Sequence, residues 1–187
     1  MKGRESGMPS KEMWEGFFSP AETLNILGLK EAKDVVEFGC GYGTFTIPAA
    51  KIVKGTVYAI DIESEMIDAT SKEVEKKGLH NIKAIQRDFM AEGTGLGDES
   101  VAYAMIFNIL HIDHPEVMLN EAWRILKKEG KIGIMHWNCV QSTPRGPSME
   151  IRPKPEQCIQ WAKDAGFGHP RQHDLKPYHY GIVMRKE

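Results

Sequence analysis

Cysteine is scarce. Cys40, Cys139 and Cys158 are the only three, widely spaced and without a Cys-x-x-Cys pair. Such spacing indicates neither a zinc knuckle nor a disulfide framework, and reads as reduced thiols in a cytoplasmic protein. Long apolar runs are absent: none reaches the ~18 residues of a membrane span. Met1-Lys2-Gly3-Arg4-Glu5-Ser6-Gly7 has no apolar stretch of the secretory kind. An excess of one charge is missing too, with 24 Lys and Arg against 26 Asp and Glu. A net charge of −2 leaves no basic stripe for nucleic acid and no polybasic segment for anionic lipid. No internal repeat is visible. The 187 residues, 41% hydrophobic, suit a single domain with a sizeable core. Oligomeric state is not written in the sequence.

Glycine is plentiful, and its placement is informative. Residues 35–46 read Val-Val-Glu-Phe-Gly-Cys-Gly-Tyr-Gly-Thr-Phe-Thr. An apolar strand runs into Gly39, Gly41 and Gly43, with Glu37 two residues before the first. Glycine lets a backbone turn tightly and approach a ligand closely. Between a strand and a helix such a turn is a nucleotide-binding loop. Asp61 ends the next strand, 18 residues past Gly43, where a carboxylate can accept both hydroxyl hydrogens of a ribose. The pattern implies an adenosine-containing cofactor. A dinucleotide fingerprint needs its third glycine five residues after the first, where Thr44 stands.

The rest of the chain alternates. Ser19-Pro20-Ala21-Glu22 reads as a capped helix start, ended by Gly28. Strands are expected near 34–38, 56–61, 82–87, 101–107 and 131–137. Helices are expected from Gly43 to Val53, from a Ser64 cap to Gly78, and from Pro115 to Lys127, with Gly130 ending the last. Residues 90–99 and 138–155 read as loops. A helix near 155–165 and strands near 169–175 and 179–185 follow. The expected fold class is α/β, a doubly wound and mostly parallel sheet between helical layers. Ligands bind beyond the carboxyl ends of such strands. Glu37, Asp61, Asp88 and Asn108 all fall there.

The run Glu-x-Gly-x-Gly-x-Gly followed by Asp61, then Asp88, resembles the class I S-adenosylmethionine-dependent methyltransferases, in their type 11/25-like small-molecule branch. The resemblance covers roughly residues 33–137. It implies a Rossmann-like sheet whose last strand runs antiparallel beside strand five. It also implies roles. Gly39, Gly41 and Gly43 would form the turn beneath the methionine part of S-adenosylmethionine, and Glu37 would face its ammonium. Asp61 would hold the ribose, and Ile62 would press on the adenine. Asp88 would accept from the adenine amino group, and the Phe89 N–H would meet the ring. Asn108 would sit beside the methyl group. S-adenosylhomocysteine would be the product. By the same resemblance, residues 1–30 form cap helices, 33–137 the cofactor core and 138–187 the substrate side of one domain, residues 1–187.

The acceptor side is thinner in signal. His111 and His136, after strand four and at the end of strand five, are the catalytic candidates: an imidazole there could take a proton. Positioning alone can supply much of the rate, so a base is not obligatory. His114, just before Pro115, suits a helix cap. His111-x-x-His114 lacks a third ligand, so no metal is expected. Tyr178, His179 and Tyr180 lie between the last strands. Trp14, Phe17 and Phe18 form a stripe that suits either a cover over the cofactor or plain packing. Met8, Met13, Met149 and Met184 suit pocket or core equally. After strand four the chain reads Asn108-Ile109-Leu110-His111, unlike the Asn/Asp-Pro-Pro-Tyr/Phe of amino-methylating relatives. The run resembles the family's small-molecule branch, and that resemblance implies a small-molecule acceptor. Two alternatives stand beside it: a methyltransferase-fold scaffold without turnover, and a nicotinamide-dependent oxidoreductase, whose Gly-x-Gly-x-x-Gly and Tyr-x-x-x-Lys are both missing.

Overall fold

The computed structural model describes residues 9–30, 33–140 and 143–187. Met8 and the leader reading of residues 1–7 lie outside the described residues. The first element pair is helical, α1 (Lys11–Glu15) and α2 (Pro20–Ile26). The alternating part follows: β1 (Val35–Phe38), α3 (Thr46–Ile52), β2 (Val57–Asp61), α4 (Ser64–Lys76), β3 (Ile82–Gln86), α5 (Phe89–Glu92), β4 (Val101–Phe107), α6 (Pro115–Ile125) and β5 (Leu126–Trp137). A 3-10 turn (Met149–Ile151), α7 (Pro155–Asp164), β6 (Phe167–Leu175) and β7 (His179–Lys186) close the chain.

All seven strands join one sheet in the order β3-β2-β1-β4-β5-β7-β6. The pairs among β1 to β5 are parallel, and β7 runs antiparallel to both β5 and β6. The expected antiparallel strand beside strand five is therefore β7. The order reverses between β1 and β4, the crevice where an open α/β sheet takes its ligand.

Each face of the sheet buries its own core. Val36, Phe38, Ile106, Ile132 and Ile134 meet Met118, Leu119, Ala122 and Ile125 of α6 and Cys158 and Ala162 of α7. On the other face, Val35, Met105, Phe107 and Met135 meet Leu24 of α2 and Ala49 and Ala50 of α3. Central strands covered on both sides are nearly continuously apolar, and β1 is buried along its whole length, with Glu37 its one polar residue. Strand edges matched the sequence pattern closely, because this continuous apolarity ends where the backbone turns.

Four local expectations are corrected. Ser19 occupies the N-cap position of α2 but makes no side-chain cap bond. Ser64 is the first helical residue of α4, and its N-cap is Glu63, again without a side-chain bond. Residues 90–99 are not all loop, because Asp88 caps the single-turn α5 by accepting from the Met90 and Ala91 N–H groups at 3.1 Å. The helix α6 stops at Ile125, and β5 begins at Leu126, opposite Val101. From Val101 to Tyr103 is two residues, whereas their partners Leu126 and Lys131 are five apart, so three residues bulge out. Glu129 takes φ +64° within that bulge.

Candidate functional site

The glycine turn follows β1 directly. Gly39, Gly41 and Gly43 have φ of +73°, +53° and +77°, a region side chains rarely enter. A Cβ on Gly39 would also sit 2.9 Å from Ile109 Cδ1. The turn is tied down from two sides. Thr70 of α4 donates to the Gly41 carbonyl at 2.8 Å, and Asp61 Oδ2 accepts from the Gly41 N–H at 2.9 Å. Asp61 Oδ1 accepts from the Glu63 N–H at 3.0 Å. Each carboxylate oxygen has two acceptor sites, so Asp61 retains capacity for two hydroxyls. Ile62, next to it, is half-buried.

Glu37 lies under the turn, 2% exposed, and accepts a short hydrogen bond from Thr46. Burial, more than the nearby Asp61 charge, pushes its carboxyl up to about 8. Asp61 is raised too, mainly by burial, with the backbone donors of Glu63, Gly41 and Ile62 pulling the other way. Two buried acids thus share one corner. A cation placed there would be drawn in, since it relieves what burial costs them.

Asp88 and Phe89 stand beyond β3. The Asp88 carboxylate is the α5 cap, and the Phe89 ring packs edge-on against Phe38 with centroids 5.2 Å apart. The Phe89 N–H belongs to the first helical turn, which leaves such donors without an intrahelical partner. Asn108 follows β4 with φ +57°. Its own N–H donates to the Met135 carbonyl at 2.7 Å, while both polar atoms of its side chain are buried without a partner among the described residues. A buried amide left unpaired is costly, and is a position that a polar ligand would satisfy.

The histidines separate. Nδ1 of His111 lies 3.1 Å from Nε2 of His136. His136 is 0% exposed, and burial, with His111, His179 and Arg152 adding to it, pushes its imidazole down to about 3. His114 is exposed instead and pairs with Glu116 at 2.9 Å, with no side-chain cap bond. No group of three metal-binding side chains occurs among the described residues.

Around Trp137 the chain draws three segments together. Phe17, Tyr178 and His179 have ring centroids 5.4, 6.4 and 4.2 Å from Trp137. Trp14 and Phe18 join at 6.4 and 6.2 Å. Gly146 lies so close beneath that a Cβ there would meet the indole at 2.8 Å. Arg152, 7% exposed, donates to the carbonyls of Asn138, Arg145 and Pro147 and to the Thr143 hydroxyl. One guanidinium thus shapes the segment after β5. Tyr42, in the glycine turn, donates to the Pro9 carbonyl at 3.0 Å, and Lys11 pairs with Glu73 of α4 at 3.0 Å. The aromatic stripe therefore packs on Trp137. Of the methionines, Met184 is core at 1% exposure, whereas Met13 and Met149 are exposed.

Two concavities open on this side. One, of about 210 Å³, is lined by Phe17, Phe18, Met135 and His179 among others. A wider one, of about 1040 Å³, lies among Asn138, Cys139, Lys154, His173 and Tyr180. Glu37, Asp61 and Asn108 line neither. Sequence reasoning missed Arg152, Thr46, Tyr42 and Trp137 as a hub. Only the Pro-rich stretch holding Arg152 carried a signal, as a long loop in a compact fold.

A methyltransferase domain profile matches residues 35–130. Nocamycin O-methyltransferase of Saccharothrix syringae is 32% identical over 122 residues, 63% of this chain and 43% of that protein. Demethylmenaquinone methyltransferase of Geobacillus stearothermophilus is 27% identical over 112 residues, 58% of this chain and 47% of its own length. The chain spans about half the length of these curated relatives. A crystal structure of a SAM-dependent methyltransferase from Aquifex aeolicus superposes with a TM-score of 0.85 at 26% identity, covering 95% of this chain and 94% of that one. With a turn, a strand order and a profile that agree, the chain belongs to the methyltransferase domain family, in its class I S-adenosylmethionine-dependent branch.

Proposed function

We propose that the chain moves the methyl group of S-adenosylmethionine to a small-molecule acceptor by in-line displacement. The observation that carries this is Asn108, whose amide is buried, unpartnered and held in a left-handed residue at the β1/β4 crevice. The cofactor fits what surrounds it: Gly39, Gly41 and Gly43 would cradle its methionine part, and Glu37 would answer its ammonium. Asp61 would take the ribose hydroxyls and Ile62 the adenine face, with Asp88 and the Phe89 N–H at the adenine edge. When bound it supplies an electrophilic methyl on a sulfonium. The chain's own residues bind, orient and exclude water, the share of catalysis that positioning provides. His111 and His136 remain the candidates for moving a proton.

A small acceptor is supported by the names of the relatives, which specify nocamycin and demethylmenaquinone, and by the Asn108-Ile109-Leu110-His111 run. The near-neutral charge supports the absence of a nucleic acid partner. No helix among the described residues is long and apolar enough to cross a membrane, and a cytoplasmic, single-domain enzyme is the matching proposal. Residues 9–30 would cap the cofactor core, and 138–187 would form the acceptor side.

Calorimetric titration with S-adenosylmethionine, S-adenosylhomocysteine and NADH tests the reading. Both sulfur nucleotides should bind, and NADH should not. Binding of NADH alone overturns it.

A further inference from the structure

Strand register brings two acids to one corner. Glu37 of β1 lies beside Ala59 of β2, and Asp61 follows Ala59 by two residues. Alternate residues of a strand share a face, so both carboxyl groups project to the face that carries α3. Thr46 of α3 closes the corner by donating its hydroxyl to Oε2 of Glu37. Glu37 is 2% exposed and Asp61 8%. The Cys40 thiol of the glycine turn is the third titratable group there, and it is buried as well. Neither acid forms an ion pair among the described residues.

Two carboxylates buried side by side repel, and the arrangement of lower energy keeps one of them neutral. Which one follows from the donors each receives. Asp61 accepts from two backbone N–H groups, that of Gly41 on Oδ2 at 2.9 Å and that of Glu63 on Oδ1 at 3.0 Å. Donors on both oxygens favour the ionised form. Glu37 receives one hydroxyl and, among the described residues, no backbone N–H. The proton therefore rests on Glu37. Its carboxyl stands at about 8, raised chiefly by burial, with Thr46 lowering it and the Asp61 charge raising it further. The groups that face it are Asp61 from β2, Thr46 from α3 and Cys40 from the turn, none of them cationic.

We propose that the empty site holds Glu37 as the neutral acid and that the arriving ammonium of the cofactor displaces its proton into water, so that cofactor affinity falls as pH falls through the neutral range. This rests on reading the corner as part of an S-adenosylmethionine site. The O–H bond of Glu37 breaks, its electron pair stays on the carboxylate, and water takes the proton. The ammonium keeps all three of its hydrogens. A free α-amino group titrates only around pH 8, so at pH 6 to 7 the ligand arrives already charged and the proton must come from the protein. The new carboxylate then meets a positive partner, which offsets both its burial and the repulsion from Asp61. Release of one proton on binding changes affinity about tenfold per pH unit. The corner thereby couples cofactor occupancy to pH where most carboxyl groups no longer titrate.

Calorimetric titration of the full chain with S-adenosylhomocysteine, in phosphate and in Tris at pH 7, counts the protons. The difference in heat between the buffers should report release of about 0.9 proton per ligand, the fraction of Glu37 that is neutral there. Kd should rise about tenfold from pH 7 to pH 6. Glu37→Gln keeps the shape and has no proton to lose, so it should bind more weakly, release none and lose most of that slope. Labelling with 13C-glutamate reads the acid directly, with Glu37→Gln assigning the signal. The Glu37 carboxyl carbon of the empty chain should titrate near pH 8, and in the complex it should stay ionised from pH 6 to pH 9. Binding without proton release, or a carbon already ionised at pH 6 in the empty chain, overturns the proposal and leaves the cofactor reading standing. Release that persists in Glu37→Gln belongs to another group and overturns it too. Should Glu37→Gln not fold, the wild-type proton count and the presence of a carboxyl carbon titrating above pH 7 decide alone. No binding of S-adenosylhomocysteine at all removes the cofactor reading, and the proposal with it.

Discussion

The two acids over β1 and β2 and the two histidines over β4 and β5 stand at the same edge of one sheet, yet they are held in opposite ways. Glu37 and Asp61 are fixed by neighbours close in the fold of one βαβ unit: Thr46 for the first, and the Gly41 and Glu63 N–H groups for the second. His111 and His136 face an environment assembled from far along the chain, with Trp137, His179 and Arg152 all close by. Among the described residues the acid corner has no positive partner, and Arg152 near the histidine corner pairs with no carboxylate. A cationic cofactor would answer the acid corner. The acid corner is a local motif, whereas the histidine corner is a tertiary assembly.

The comparison can be broken most forcefully at Arg152. Arg152→Met strips the donor from three carbonyls and should cost about 3–5 kcal/mol of stability, since each buried unpaired acceptor costs about 1–3. Calorimetry should show the loss, with S-adenosylhomocysteine affinity kept below the melting temperature. Equal loss of affinity would mean that the halves are not separable. Gly39→Val attacks the other half. A left-handed valine against Ile109 should cost about 3 kcal/mol of local strain, seen in titration as an affinity on the order of 100-fold weaker.

A change of pH sharpens the contrast without mutation. The imidazoles of His136 and His179 stand at about 3 in the fold, against an ordinary 6.5. Below pH 6.5 the unfolded chain takes up protons that the folded chain refuses, so stability falls from there down to about pH 3. The two sites together give a slope on the order of 3 kcal/mol per pH unit, and His136→Gln should remove about half of that slope in urea titrations. Glu37 has the opposite sign. Its pKa is raised from 4.5 to about 8, so its contribution is full below 4.5 and lost as pH rises through 8. Glu37→Gln should therefore raise the melting temperature at pH 8.5, by about 2–4 °C per kcal/mol recovered, while weakening cofactor binding.

Asp61→Ala comes next, at about 1.5–3 kcal/mol of cofactor affinity, the worth of hydrogen bonds to a charged group. Unchanged affinity would remove Asp61 from the ribose role. Tyr42→Phe should be the mildest, at about 1 kcal/mol, because it deletes one bond between the glycine turn and Pro9. Faster cofactor release in stopped flow, with the melting point kept, would mark residues 9–18 as a cover for the cofactor.

Much of the fold was legible because its cause is local. Continuous apolar runs such as 101–107 must be central strands, and glycines at alternate positions after one of them must form a turn. The misread places had competing local meanings. Leu126 to Gly130 looked like a helix end because Gly130 reads as a helix stop, but Leu126 pairs with Val101 through a bulge that no periodicity announces. Residues 90–92 looked like the start of a loop, because the α5 turn that Asp88 caps is only four residues long. His111 and His136 were visible singly. Their contact was not, because 25 residues and a crossover helix separate them.

The sequence by itself determined the doubly wound sheet, the glycine turn and the acids at the strand ends, since these follow from hydrophobic periodicity and from backbone angles that only glycine adopts freely. Only the tertiary structure decided that Arg152 is buried, that Trp137 gathers three segments, that the Asn108 amide has no partner among the described residues and that His136 touches His111. Burial and hydrogen-bond partnership are properties of packing between distant segments, and the order of residues along the chain does not record them.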